Sequence, residues 1–282
     1  MARITIPYAV ADFIDLRERG FYYVDKTDYI PKLEDYNAPV FLRPRRFGKS
    51  LLVSTLACYY DRTKAHRFEE LFGGTWIGNH PTKEHNSYMI IRYDFSKMVM
   101  ADTIEGLAQN FNDLNCGPVD VMVEHNRDLF GDFQFTTRGD ASKMLEEVLN
   151  YARSHEFPKV YLLIDEYDNF TNQLLTAYND PLYEEVTTND SFLRTFFKVI
   201  KAGIGEGSIR TCFCTGVNLL KIIQNPVSRK CCFCQFPVSR CCNCHLYISL
   251  FKPFQSFLHS WFQRCFKPVK ITYNFQNLFY NL

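Results

Sequence analysis

The sequence predicts an α/β fold in which helices cover a mostly parallel sheet. Short apolar runs alternate with segments of helical periodicity, as expected when parallel strands are joined by helical crossovers. Polar or acidic residues follow four of these runs directly, and ligands bind at the carboxyl ends of such strands. Of the 282 residues, 46% are hydrophobic and 22% are charged, a composition that can bury a core.

Each element is predicted from its local pattern. Apolar runs bounded by turn or charged residues predict strands at 40–42, 87–96, 159–165 and 208–216, with a further strand-like aromatic run at 21–30. Helical periodicity predicts helices at 8–20, 50–60, 101–112, 139–155 and 191–203. Gly20 and Gly203 are the predicted ends of the first and last of these helices. The segments 31–39 and 66–79 are predicted to be a connector and an irregular glycine-rich stretch.

The charge distribution divides the chain near residue 217. All 31 acidic residues lie at or before Glu206, so the charge is −8 up to that residue and +9 beyond it, although the whole chain carries only +1. Seven of the 11 cysteines fall in 231–265. We therefore expect one domain over 1–217 and an atypical Cys- and Phe-rich basic tail over 218–282, irregular or poorly ordered.

The chain is expected to be cytoplasmic. Its N-terminus has no apolar segment or cleavage pattern typical of a signal peptide. No run of 18 or more apolar residues predicts a membrane span. The cysteines are then expected to remain reduced thiols.

A phosphate-binding loop is predicted where the strand at 40–42 meets the helix at 50–60. Gly48, Lys49 and Ser50 match the end of the Walker A pattern, but Arg43 stands where that pattern has its first glycine. Helix N-termini bind anionic phosphate through unpaired N–H groups and the helix dipole. Lys49 is expected to reach the β- and γ-phosphates, and the Ser50 hydroxyl to bind Mg²⁺.

A second, independent motif predicts the other half of the site. The run VYLLIDE has the Walker B form, in which Asp165 binds the metal and Glu166 is the general base. The alternative is a core strand that ends in a solvated acidic turn. Thr215 ends the following strand, where it is expected either to sense the γ-phosphate or to cap the next turn. Together the motifs predict a P-loop NTPase, a three-layer sandwich with a mostly parallel sheet.

The segments YYVDKTDYI, FLRPRRFGKSLL, VYLLIDEYDNF and FLRTFFKVIKAG, in this order, resemble the AAA-ATPase-like family of bacterial P-loop proteins over residues 6–217. The family has its own Walker A variant with arginine at the position of Arg43. The resemblance also implies a role near the nucleotide or the loop for Asp25-Lys26-Thr27. It implies a nucleotide-binding loop made of Arg43, Pro44, Arg45, Arg46, Phe47, Gly48, Lys49, Ser50 and Leu51.

Three interpretations of the tail remain open. A shifted reading frame after residue 217 explains the loss of acidic residues and makes the chain a truncated family member. A zinc module is the second interpretation, because soft ligands cluster at Cys231, Cys232, Cys234, Cys241, Cys242, Cys244 and His245. The third is a basic aromatic segment that binds nucleic acid or a membrane surface. Members of the family usually carry a C-terminal PD-(D/E)xK-type nuclease domain, whose acidic and lysine clusters this tail lacks.

These features leave three alternatives for the function of the chain. The first is ATP binding with Mg²⁺-dependent hydrolysis, in which Lys49, Glu166 and Thr215 act as catalytic residues. The second is a nucleotide-gated binding or regulatory module without turnover, with a nucleic-acid or protein partner. The third is an inactive truncated family member. An oligomer is compatible with each alternative, and the sequence does not identify the nucleic-acid or protein partner.

Overall fold

The structure is a computed structural model that describes most of the first 217 residues. It describes the chain over residues 5–7, 9–170, 172–173, 186 and 191–217, together with the backbone of 224–225 and 230–231. The side chains of the zinc interpretation of the tail lie outside this part. Within it, the predicted α/β architecture is confirmed.

A four-stranded parallel sheet forms the centre of the fold. Its strands lie in the order β1-β4-β3-β2, and they are β1 Val40–Leu42, β2 Met89–Asp94, β3 Val160–Asp165 and β4 Ile209–Gly216. All six residues of β3 are buried, whereas burial alternates along β2, as expected for central and edge strands. A short antiparallel pair joins β5 Gln224–Asn225 to β6 Lys230–Cys231.

The helices of the described part follow the predicted alternation with the strands. They are α1 Phe13–Glu18, α2 Ile30–Leu33, α3 Lys49–Tyr60, α4 Phe68–Phe72, α5 Trp76–Asn79, α6 Ile104–His125, α7 Arg127–Phe130, α8 Ala141–Ser154 and α9 Phe192–Glu206. Short 3₁₀ turns occupy Thr27–Tyr29, Arg62–Arg67 and Phe95–Lys97.

Helices cover both faces of the sheet, which gives three layers. On one face, Tyr60 of α3 stacks on Tyr161 of β3, with ring centroids 4.2 Å apart. On the other, Tyr93 of β2 meets Phe196 of α9 edge to face at 5.2 Å. Helices α6 and α8 complete this second layer. Complete burial of a large apolar side chain contributes about 1.5–3 kcal/mol, so these layers supply the core.

Three predicted elements differ most from the structure. The run 21–30 is not a strand, since in the described chain its only backbone hydrogen bond to a distant segment joins the Tyr22 N–H to Thr5. The stretch 66–79 contains α4 and α5 rather than irregular chain. Helix α6 extends far beyond residue 112, because its apolar face continues through Val119 and Met122 despite an internal proline.

Candidate functional site

The loop between β1 and α3 has the geometry of a phosphate-binding loop. Gly48 lies at the helix N-cap with φ of 77°, a left-handed conformation that favours glycine. No side chain caps this end of α3 within the described chain, so its first-turn N–H groups lack a side-chain acceptor. An anion at this position would accept hydrogen bonds that the helix terminus otherwise leaves unmade.

The loop starts beside the end of β4. The Arg43 N–H donates to the Gly216 carbonyl at 3.0 Å, and its guanidinium lies 5.8 Å from the ring centroid of Phe41. Arg45, Arg46 and Phe47 are exposed, and Phe47 has 56% of its surface accessible. Arg43 therefore extends β1, whereas the middle of the loop faces solvent.

Lys49 is a buried cation that joins the two halves of the predicted site. Only 4% of its surface is exposed. Its Nζ lies 3.2 Å from Glu166 Oε1 and donates to the Pro44 carbonyl at 3.4 Å. Burying a lysine is costly unless its charge is paired and hydrogen-bonded. The loop and the end of β3, which are far apart in sequence, are therefore in direct contact.

Asp165, Glu166 and Thr215 form a second hydrogen-bonded group at the ends of β3 and β4. The Thr215 hydroxyl donates to Asp165 Oδ1 and accepts from the Glu166 N–H at 3.3 Å. Asp165 is 3% exposed and Thr215 is fully buried. Glu166 has φ of 54°, the left-handed conformation that residues with a side chain rarely adopt. The threonine thus holds the Asp165 carboxylate and the backbone of Glu166, and Asp165 is buried rather than solvated as the alternative expects.

Asp168 is a positioning residue that the sequence analysis missed. It is fully buried, and its Oδ2 accepts from the Val217 N–H and from Asn172 Nδ2, both at 3.0 Å. Gly216 is packed against the same turn, because a Cβ there would lie 2.5 Å from both Asp168 Oδ1 and the Tyr167 ring. The only signal in the sequence was a further acidic residue two positions after Glu166.

The Asp25-Lys26-Thr27 segment contacts α5. Asp25 Oδ2 accepts from the Trp76 N–H at 2.6 Å, and Thr27 Oγ1 accepts from the Ile77 N–H at 3.0 Å. Burial opposes ionisation of Asp25, but hydrogen bonds from Thr27 and Trp76 hold its pKa below the usual value. The contacts of Asp25 and Thr27 thus fix the start of α5.

The donors of the site fit a magnesium nucleotide. The Ser50 hydroxyl and the Asp165 carboxylate supply the hard oxygen ligands that Mg²⁺ prefers. In the described part of the chain no three His, Cys, Asp or Glu side chains cluster as metal ligands. This does not conflict with magnesium, which usually takes one or two carboxylates and completes its shell with water and substrate phosphates.

The family model of the AAA-ATPase-like proteins, described as predicted AAA-ATPases, matches residues 7–226. The chain belongs to this family. The match covers the loop 43–51, Asp165, Glu166 and Thr215, and it supports nucleotide binding by a P-loop. It identifies no nuclease domain.

An uncharacterised protein encoded in the 5′ region of vnfD in Azotobacter chroococcum mcd 1 is 28% identical to this AAA-ATPase-like chain over 227 residues. The alignment covers 77% of this chain but 38% of that protein, so the chain spans about two fifths of its relative's length. No solved structure gave a significant match. No helix in the described part of the chain is long and apolar enough to cross a membrane.

Proposed function

We propose that the chain binds ATP with Mg²⁺ at residues 43–51 and hydrolyses it. The observation that carries the proposal is the 3.2 Å contact between Lys49 Nζ and Glu166 Oε1, which joins the loop to the acidic end of β3. Family membership supports ATP as the nucleotide. We also place the protein in the cytoplasm, where ATP is available and thiols stay reduced.

Each residue has a proposed role in the reaction. The Lys49 ammonium and the first-turn N–H groups of α3 bind the phosphates. Glu166 accepts a proton from the attacking water, and Thr215 holds the turn that carries Glu166. Ser50 and Asp165 would hold the metal. Bound Mg²⁺ would neutralise charge that develops on the phosphate oxygens.

The first test removes the lysine amine. Lys49→Ala is expected to weaken ATP binding by about 100-fold, because it deletes the buried charge that faces the phosphates. Calorimetric titration with ATP and Mg²⁺ measures this loss. Lys83→Ala, which alters an exposed lysine before β2, is the matched control and is expected to bind normally. Equal affinity of Lys49→Ala and the unmodified chain would reject the proposed nucleotide site.

A nucleotide-gated module without turnover is the second candidate. The ion pair itself favours it, because the Glu166 carboxylate that must accept a proton is engaged by Lys49. Single-turnover hydrolysis, measured with and without nucleic acid, separates the two functions. A melting temperature raised by ATP and Mg²⁺ in the absence of hydrolysis would support the gated module and exclude the inactive truncated form.

A further inference from the structure

The chain that leads into the outer edge of β2 pairs at Tyr88 with the segment that follows α3, and the pairing ends there. The Tyr88 N–H donates to the Tyr60 carbonyl, and the Arg62 N–H donates to the Tyr88 carbonyl, both at 3.0 Å. This parallel bridge pairs Asp61 with Tyr88. The chain then turns into the 3₁₀ segment Arg62–Arg67 and leaves the sheet.

The rest of this edge is open within the described chain. Met89 donates its N–H toward β3, to the Lys159 carbonyl at 3.1 Å. Because hydrogen-bonding direction alternates along a strand, the N–H and C=O groups of Ile90 and Arg92 point away from β3. No described residue hydrogen-bonds to these groups. A further strand can therefore add to β2 after Tyr88.

A groove of about 530 Å³ lies beside this open edge. Helix α3 forms one wall with Ser54, Ala57 and Cys58, and the opposite wall belongs to α6. A Cβ on Gly117 of α6 would have no neighbour within 4 Å, so the groove is open at that point. At about 3.3 Å per residue, the free part of β2 can pair with a segment of about four residues.

The carboxylates and cations of the groove balance in number, but they differ in whether they are already paired. Asp12 and Asp61 each accept hydrogen bonds from the N–H groups of the helical turn that follows them. Asp94 is paired with Lys97 at 3.4 Å. By contrast, Arg92 and Lys64 make no salt bridge or hydrogen bond through their side chains to other described residues. The acids are thus engaged, whereas two cations are available to an incoming carboxylate.

The two faces of an added strand would meet different surroundings. Side chains on one face would meet Arg92 and the wall formed by α3. Those on the other face would meet Leu114, Pro118 and Val121 of α6, of which Val121 is 52% exposed. Alternate residues of a strand point to opposite faces. An occupant with alternating acidic and apolar residues satisfies both surfaces.

We propose that the open edge of β2 is a docking site for an extended peptide of a partner protein, in which acidic and apolar residues alternate. The peptide adds a fifth strand to the sheet by backbone hydrogen bonds to Ile90 and Arg92. One of its carboxylates pairs with Arg92. This site is separate from the proposed nucleotide site and does not depend on it.

The probe is an acetylated, fluorescent octapeptide of alternating valine and glutamate, titrated into the full-length chain. Its control has lysine in place of glutamate. Fluorescence anisotropy measures the affinity, and hydrogen exchange measures protection of individual amides. The valine–glutamate peptide is expected to slow exchange at the amides of Ile90 and Arg92, whereas those of Met89 and Ile91 are already protected by β3.

Substitutions that leave the core intact test the location. Gly117→Leu fills the groove from the α6 wall and is expected to weaken binding at least about tenfold. Gly205→Leu is the matched control, because Gly205 also lies in a helix and a Cβ there has no neighbour within 4 Å. Ile90→Pro removes one outward N–H without removing a bond to β3, and it is also expected to weaken binding. Arg92→Glu is expected to reverse the preference toward the lysine peptide.

Several outcomes would overturn the proposal. Absence of valine–glutamate binding to the unmodified chain is one, and equal affinity of the Gly117→Leu and Gly205→Leu variants is another. Protection of Ile90 and Arg92 without peptide, combined with a dimer that Gly117→Leu dissociates, would assign the edge to a second copy of the chain and reject a partner peptide.

Discussion

At the scale of single residues, Glu166 is held in a conformation that it would not adopt alone. A left-handed φ costs a residue with a side chain about 1–2 kcal/mol. The Thr215 hydroxyl accepts a hydrogen bond from the Glu166 N–H, and Lys49 pairs with the Glu166 carboxylate. Strain of this kind persists where the surroundings determine it, and it is concentrated at functional sites.

Replacing the carboxylate of Glu166 separates binding from turnover. Glu166→Gln is expected to lower single-turnover hydrolysis by about 10²–10⁴-fold, because the amide cannot accept the proton of the attacking water. Binding of ATP is expected to persist or strengthen, since Lys49 loses its ionic partner. Glu156→Gln is the control, because this exposed glutamate also has a positive φ of 56°. Full turnover by Glu166→Gln would remove Glu166 from the role of base.

Asp168 is expected to stabilise the turn that carries the site. Asp168→Asn replaces a charged acceptor of the Val217 N–H and should lower the free energy of unfolding by about 1–3 kcal/mol. Urea denaturation measures this change, and Asp102→Asn, at an exposed position, is the control. A loss within about 0.5 kcal/mol, typical of surface substitutions, would contradict the assigned role.

The roles of individual residues were only partly predictable from the sequence. Lys49, Glu166 and Thr215 could be assigned to one edge because each follows or ends a parallel strand. The Lys49–Glu166 ion pair could not be predicted, since it depends on the left-handed turn at Glu166. The contacts of Asp25 with α5 could not be predicted either, because they join segments about 50 residues apart that share no periodic pattern.

At the scale of elements, strands were predicted more accurately than helices. Strands β3 and β4 are continuous apolar runs, and a buried parallel strand requires this pattern. Helix α6 was predicted too short, because Gly117 and Pro118 are poor helix formers and interrupt its pattern. Helix α9 continues past Gly203 to Glu206 and is capped by Gly207, whose φ is 80°. Packing of its apolar face carries α6 through these residues, whereas a left-handed glycine ends α9.

The N-cap of α8 gives a prediction at this scale. Asp140 Oδ1 accepts from the N–H groups of Ser142 and Lys143, at 3.0 and 3.1 Å. Asp140→Ala is expected to lower the free energy of unfolding by about 1 kcal/mol, as typical for loss of a cap. Asp140→Ser keeps an acceptor and should lose much less. Equal urea midpoints for Asp140→Ala and the unmodified chain would show that the cap contributes no stability.

At the scale of the whole molecule, the ionised carboxylates make stability depend on pH. Burial raises the pKa of Glu147, but hydrogen bonds from Thr137 and Thr136 outweigh it and leave the pKa below its usual value. The pKa values of Asp25 and Asp140 are lowered in the same way. A lowered pKa contributes stability in full above the unfolded value, about 4, and loses it as the pH falls further.

The free energy of unfolding is therefore expected to stay level from pH 7 to about pH 5 and to fall below about pH 4. Glu34 acts in the opposite direction, because burial raises its pKa. The stability that its protonated form contributes is lost as the pH rises through the raised pKa. Urea titrations at a series of pH values measure the profile. Glu147→Gln should reduce the acid-side slope, and stability that increases below pH 4 would contradict this account.

The pairing of β1 with β4 also determines when the site can form during synthesis. Val40 pairs with Cys214 and Leu42 with Gly216, and the Arg43 N–H donates to the Gly216 carbonyl, so the loop has no sheet partner in the described chain until β4 has been made. A ribosome adds about 5–20 residues per second, so the interval between translation of β1 and translation of β4 is on the order of ten seconds or more. The loop therefore gains its sheet partner only when the last strand of the described sheet is in place.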